Sequence, residues 1–480
     1  MYYQPLRPPG VRDFRKHSEL TRREALRIGS AGAVGTALVA QPAAADERQG
    51  DGELQFGDQK YIDTRRAGGE PTVAMHPDGT LLYGAHAGST HFYAPEAVDP
   101  DSTAFTNNYE GQTYYYYSDD LGETWNFVDR TTPPDGVPNS GFSDPAFAVD
   151  KAGHVYVSEI NLVNVAVSKS YDSGQTYQLQ NLFGQVMEDR QWMAADEANV
   201  LYMTGNVFGG GTFPNDPAGN VGRRLFKSTD GGETFDTVAE NSGGFGDMQC
   251  DKKTGAIYEA TLSDGTLSMG VFREAREDCF DRELNTIAED VDYGPGRPSY
   301  RVDPDQNVHI VWCEGGDGAR DAGIYYGVLE DEGRTWSDPL KLNDGPETVI
   351  WPWMAVGDAG RPAIVWLRAS RELPDHDPET VGNHTWSVIA AGSRNSLAGN
   401  PKFHEEVATP RPIHQGTICG SGTVCQAQGV DRRLGDFFSV QVDNEGRMWI
   451  GYPDTRQGGA VCLPGFVRQE GGIEFYKGGK

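Results

Sequence analysis

The sequence predicts an all-β protein, a β-propeller of four-stranded blades, with seven blades favoured and six as the alternative. Three observations predict it. First, one motif recurs: a short alternating strand, a D-x-x-G-like turn, then a second strand rich in Val, Ile, Tyr and Trp. Its seven copies begin at Glu70, Asp144, Arg190, near Asp247, at Arg297, at Trp351 and near Asp436. Second, those starts lie 74, 46, 57, 50, 54 and 85 residues apart, a unit of about fifty residues with two places for long insertions, which suits a propeller blade. Third, 61 Gly, 28 Pro, 21 Tyr, 20 Phe and 9 Trp among 480 residues, with a mean hydropathy of -0.56, describe a turn-rich and aromatic-rich chain rather than a helical one.

Taken from the N-terminus, residues 1–45 read as a signal peptide. Thr21-Arg22-Arg23-Glu24-Ala25-Leu26-Arg27 precedes the apolar run Ile28 to Ala40, and Ala43-Ala44-Ala45 supplies small residues for cleavage. The run is too short to span a bilayer of about 30 Å. The paired arginines resemble the twin-arginine export motif, which implies an exported protein found outside the cell, in the periplasm or at the cell surface. Residues 46–60 are expected as a short linker and 61–480 as a single propeller domain. Loss of 1–45 removes seven Lys+Arg and three Asp+Glu, leaving 34 against 67 and a net charge of -33. So acidic a chain has no basic face for phosphate, so neither a nucleic-acid partner nor, after cleavage, a membrane is expected. Six cysteines remain, an even number suited to disulfides in an oxidising compartment, and Cys419 with Cys425 is the best local pair. None of them forms a C-x-x-C pair, and no calcium-binding D-x-[DN]-x-[DN]-G loop appears, so neither metal nor cofactor is expected.

A second motif stands at the junction of the third and fourth strands. Ser118 to Trp125, Ser170 to Tyr177 and Ser228 to Phe235 all fit S-x-D-x-G-x-T-aromatic, and Asp331 to Trp336 is a fourth copy with Leu329 in place of Ser. The pattern has a local cause: the carboxylate accepts turn N–H groups, Gly tolerates positive φ, and the aromatic packs back between blades. These segments resemble the Asp-box, or BNR repeat, of the sialidase-like β-propellers. The resemblance implies that the Asp-box turns lie on the bottom face, away from the active site, and that their Asp residues are structural.

Chain direction then places the starts of the inner strands and the ends of the second strands at the top. Glu70, Asp144, Arg190, Asp247, Arg297, Trp351 and Asp436 ring the channel mouth, with a one-residue ambiguity at Asp247 and Asp436. Outside them stand His86, Glu159, Asn206, Glu314, Arg368, Tyr452, Asp454 and Arg456. The insertions 88–113, 207–222, 369–385 and 405–435 fall on the same face, where loops over a rigid scaffold carry binding. The first offers His91, Phe92, Tyr93, Phe105 and Tyr109 for stacking on sugar rings.

Sialidases bind a sugar carboxylate with three arginines and use a Tyr–Glu pair as nucleophile and an Asp as acid/base. By that resemblance Arg190, Arg297 and Arg368 would form a clamp, and Glu314 beside a tyrosine such as Tyr452 the pair. At the first inner strand, where the family has R-I-P, this chain has Gly69-Glu70-Pro71. Three functions therefore stay open. One is a glycoside hydrolase acting on a carboxylated or acidic glycan, with Glu70 or Asp144 as acid and Glu314 as partner. Another is a lyase on uronates with His86 or Tyr452 as base. The third is a non-catalytic propeller that binds a glycan, peptide or cation at the ring, which also holds Trp351 and Asp436. A carbohydrate or glycoconjugate ligand and a monomer are expected.

Overall fold

The computed structural model describes residues 54–86, 113–128, 143–160, 165–183, 188–207, 223–240, 247–330, 335–420, 425–456, 459 and 461–477. Each copy of the hairpin motif opens one blade, and there are seven antiparallel sheets of four or five strands. Blade 1 comprises Gly69–Met75, Leu81–His86, Thr113–Ser118 and Asn126–Val128, and blade 2 Ser143–Val149, Val155–Ile160, Val165–Ser170 and Gln178–Phe183. Blade 3 follows with Glu188–Ala195, Leu201–Val207, Arg223–Ser228 and Asp236–Glu240, and blade 4 with Met248–Cys250, Ile257–Ser263, Thr266–Phe272 and Arg282–Ala288. In blade 5 the strands are Ser299–Val302, Val308–Glu314, Gly323–Glu330 and Thr335–Trp336, and in blade 6 Val349–Val356, Pro362–Ala369, Thr385–Gly392 and His404–Val407.

Blade 7 is assembled from both ends of the chain. Ser439–Val442, Met448–Asp454 and Leu463–Gly471 are its inner three strands, and Gln55–Phe56 and Lys60–Tyr61 pair antiparallel with the last of these to complete it. The segment expected as a linker thus supplies closing strands. Trp125 of blade 1 stacks on Trp449 of blade 7 with ring centroids 5.3 Å apart, and Phe466 closes edge-on against Trp125 at 5.6 Å.

The turn between the first and second strands has the same length in six blades and is one residue longer in blade 4. The bonds His76 N to Thr80 O, Asp150 to His154, Asp196 to Val200, Asp251 to Ala256, Asp303 to Asn307, Gly357 to Arg361 and Asp443 to Arg447 span 2.9–3.1 Å. In three blades an Asp carboxylate explains the choice: Asp150 Oδ1 accepts the N–H groups of Ala152 and His154, each at 2.9 Å, and Asp303 and Asp443 do the same in blades 5 and 7, whereas Asp196 of blade 3 turns its carboxylate to Arg276. The three S-x-D-x-G-x-T turns repeat one pattern. At the third, Asp230 accepts from the Thr234 N–H at 3.0 Å and from the Thr234 hydroxyl at 2.6 Å, while Ser228 Oγ accepts the Gly232 N–H at 2.9 Å. The fourth copy falls largely outside the described residues, as do residues 1–45 and the loop aromatics between 88 and 112.

Fully buried Trp312, Trp366, Trp386 and Trp449 sit among Val, Ile and Leu of the second and third strands, and this packing between blades is the core. Cys419 and Cys425 form a disulfide, and Cys250, Cys279, Cys313 and Cys462 are free thiols. Among the described residues no helix is long and apolar enough to cross a membrane.

One inter-blade position holds a carboxylate. Glu259 is 1% exposed, and neither of its oxygens has a hydrogen-bond partner among the described residues. Burial lifts its pKa to about 7 against the opposing charges of Arg223 and Arg282. The folded chain therefore keeps a proton that the unfolded chain releases above its ordinary value of 4.5. Stability from this group is present below that value and declines as pH rises to about 7, by roughly 3 kcal/mol in all. Glu259→Gln should flatten that slope and melt above the parent at pH 8. Parallel melting curves for the two proteins between pH 4.5 and 8 would show that Glu259 does not cause it.

Candidate functional site

The inner strands of blades 1, 2, 3 and 6 each begin with a bulge, marked by register shifts at Gly69/Thr72, Ser143/Ala146, Asp189/Trp192 and Ile350/Trp353. Inside each bulge one non-glycine residue takes positive φ: Glu70 at 46°, Asp144 at 50°, Arg190 at 60° and Trp351 at 56°. That backbone costs about 1–3 kcal/mol per residue and persists only where the surroundings enforce it, and a bulge re-aims the side chain it carries. All four stand six residues before the hairpin residue of their blade, as do Arg297 and Phe437. Asp436 is one position earlier than this ring and Asp247 two later, which resolves the ambiguity in the repeats.

Glu70 is the hub. Its Oε2 is 2.8 Å from Nε2 of His86, which lies on the neighbouring strand of the same blade, and its Oε1 accepts the Asp436 N–H at 2.8 Å. Asp144 Oδ1 accepts the hydroxyl of Ser143 at 2.6 Å, and one oxygen of Asp144 lies within 4.8 Å of the Glu70 and His86 ligand atoms. Arg432 donates both Nη groups to the two oxygens of Asp436, the Nη2 bond measuring 2.8 Å, and its Nη2 is 4.0 Å from Glu70. Arg190 Nη2 approaches Asp436 at 3.5 Å from the other side.

Exposure separates two layers. The side chains of Glu70, His86 and Arg432 are 1%, 0% and 5% exposed, whereas those of Arg190 and Asp436 are each 23% exposed and Asp144 is half-buried. Burial, reinforced by the Asp436 charge, pushes Glu70 up to about 7, with Arg432 opposing. Burial likewise drives His86 down to about 4 despite the nearby Asp144, leaving a neutral imidazole. Arg432 resists the discharging effect of its own burial because Asp436 and Glu70 hold it charged.

Aromatic rings close the channel beneath this mouth. Trp192 lies 5.8 Å from Trp353 and 5.3 Å from Phe437, and Trp353 stacks on Phe437 at 5.8 Å, so blades 3, 6 and 7 meet across the axis. A cavity of about 260 Å³ lies along the inner strands here, lined by Trp192, Trp353, Asp247 and Arg301 among others. Asp247 turns to Arg301 within it, and the Arg301 guanidinium lies 5.8 Å from the Trp353 ring centroid.

Of the residues singled out by sequence, Glu70, His86, Asp144, Arg190 and Asp436 come together here. Arg297 is half-buried at its ring position in blade 5. Trp351 is 5% exposed, its side chain part of the hydrophobic core, and its backbone N–H bonds the Pro295 carbonyl at 3.1 Å. Three others make their contacts elsewhere. Arg368 is paired with Glu405 on the outermost strand of blade 6, which takes it out of a clamp with Arg190. Glu314 is held by Trp312 Nε1 at 2.8 Å and Arg320 Nε at 2.7 Å in blade 5, and Tyr452 lies in blade 7, where Gln59 donates to its hydroxyl at 3.4 Å. A tyrosine–glutamate bond does exist, from Tyr115 to Glu159, but it is buried between blades 1 and 2. Sequence reasoning missed Arg432, Gln191 and the aromatic floor. Arg432 lies in the segment read as an insertion, and its spacing of four from Asp436 is the signal that was available.

No family model matches this chain, and no curated protein matches it. Solved structures do. The intramolecular trans-sialidase from Ruminococcus gnavus, in complex with oseltamivir carboxylate, is 11% identical over 88% of this chain and 98% of its own, with a TM-score of 0.40. The Penicillium chrysogenum alpha-L-arabinanase complexed with arabinobiose is 13% identical over 87% and 97%, with a TM-score of 0.39. YCF48 bound to D1 peptide is 10% identical over 88% and 97%, with a TM-score of 0.46. What the chain is similar to is thus a set of propellers of differing function.

Proposed function

We propose that the protein is an exported, sialidase-like propeller that hydrolyses a glycosidic bond in a carboxylated or acidic glycan bound at the channel mouth. In this reading residues 1–45 are a twin-arginine signal and the three S-x-D-x-G-x-T turns are Asp-boxes. The observation that carries it is the placement of two half-exposed carboxylates, Asp144 from blade 2 and Asp436 before blade 7, on either side of Glu70, with Arg190 against Asp436. Glycosidic hydrolysis uses two carboxylates flanking the bond, and a guanidinium beside them favours a ligand that carries a carboxylate.

One observation favours binding without cleavage: both oxygens of Asp436 are already engaged by Arg432. The lyase reading has less support, since His86 is fully buried behind Glu70 and Tyr452 is packed within blade 7. The test is a screen of the mature chain against sialosides, arabino-oligosaccharides and uronate-bearing oligosaccharides, with product release and array binding measured together. Cleavage of an acidic glycan is the expected result. Binding without cleavage would select the second reading, and binding of neutral glycans alone, or of none, would overturn both.

A further inference from the structure

Below the aromatic floor the axial channel continues as the chamber of about 260 Å³, which reaches Met75 and Val149, the last residues of their inner strands. At the level two residues before the hairpin residue, four blades place alanine, Ala74, Ala148, Ala194 and Ala355, whereas blade 5 places Arg301. We propose that Arg301 holds one small oxyanion in this chamber, a short-chain carboxylate or a planar inorganic anion such as nitrate.

The bonds of the guanidinium show which edge takes the anion. Its Nη1 donates to Asp247 and, at 2.7 Å, to the Tyr300 carbonyl, whereas Nε and Nη2 have no hydrogen-bond partner among the described residues. Nε and Nη2 together form a fork that grips two oxygens at once. Elsewhere in the chain a carboxylate fills that fork: Arg276 holds Asp196 through Nε and Nη2, each at 2.7 Å, and Arg433 holds Asp431 at 3.0 and 2.6 Å. On Arg301 no protein carboxylate takes that edge. Its side chain, 16% exposed on an innermost strand, has its accessible surface in the chamber it lines.

The rest of the lining suits the same ligand. Trp192 is 4% exposed, and its Nε1–H is a buried donor with no hydrogen-bond partner among the described residues. Gln441 accepts the Val442 N–H through Oε1 at 3.2 Å and keeps its Nε2 as a donor. Donors thus come from blades 3, 5 and 7. Lys252 and Arg301 set two positive charges in the lining against the single carboxylate of Asp247, in a chain whose net charge is -29. The volume lies below the roughly 300–1,000 Å³ of sites for larger organic ligands, which keeps the occupant small. Trp192, Trp353 and Phe437 close the upper end, so the anion enters from the side of the hairpin turns. No side chain of the carboxylate cluster at the mouth takes part, and the inference stands whether or not the protein cleaves a glycan.

The test titrates the whole purified chain with acetate, nitrate and chloride by calorimetry, in a buffer free of carboxylate and phosphate and at fixed ionic strength. Acetate or nitrate should bind at one equivalent per chain and raise the Tm, and chloride in about tenfold excess should not displace it. The tighter of the two tells an organic from an inorganic occupant. Arg301→Lys keeps the charge and loses the fork, and should weaken binding at least about tenfold. Ala148→Leu, which fills the chamber and leaves Arg301 in place, should weaken it as much. Arg468→Lys, at a fork whose Nε holds Asp443 at 2.7 Å, should leave it unchanged. Circular dichroism verifies that each variant is folded. Absence of a one-to-one complex, chloride binding as tightly as both oxyanions, or binding unchanged in Arg301→Lys and Ala148→Leu would overturn the proposal.

Discussion

A chain begun at Asp63, lacking Gln55–Phe56 and Lys60–Tyr61, is expected to melt at least about 10 °C below the chain that keeps them and to self-associate. Two effects combine. The strand Leu463–Gly471 would present an unpaired edge, the hazard that ring closure removes. Leu54, 3% exposed, would leave the core, and the Tyr61 hydroxyl would no longer bond Asp454 at 3.0 Å, nor Gln59 the Arg411 backbone at 2.9 and 3.0 Å. Thermal melting followed by size-exclusion chromatography checks this. A shortened chain that is monomeric and melts within about 2 °C of the parent would show that the N-terminal strands are dispensable.

Asp144→Asn is expected to lower turnover of whatever acidic glycan the screen identifies by about 10²–10⁴-fold, the usual contribution of a positioned carboxyl group to proton transfer. The fold should hold, because Asn keeps an oxygen to accept the Ser143 hydroxyl and the backbone carbonyl still receives Gln191 Nε2. The measurement is kcat and KM beside a melting curve. Wild-type kcat in the folded variant would remove Asp144 from the chemistry and leave the mouth as a binding surface.

Much of the architecture is legible in the sequence because it is local. The hairpin turns of blades 2, 5 and 7 are legible because a carboxylate two and four residues from its N–H partners needs no information from elsewhere in the chain, as Asp150, Asp303 and Asp443 show. The same locality makes the Cys419–Cys425 bridge readable across six residues. The ring at the mouth is readable in part: counting from the turns finds Glu70, Asp144 and Arg190. What it does not reveal is direction. Arg368 and Glu314 stand near the top of their strands, yet one faces Glu405 and the other is held by Arg320, because alternation along a strand decides which side of a blade a side chain serves. Gln191 acts through a partner at Asp144 that only tertiary packing brings near, and the side chain of Trp351 is buried in the hydrophobic core.

The three rings of Trp192, Trp353 and Phe437 also decide the traffic at the mouth. They act as a stopper across the axis, so whatever settles at the mouth must enter and leave on the same side.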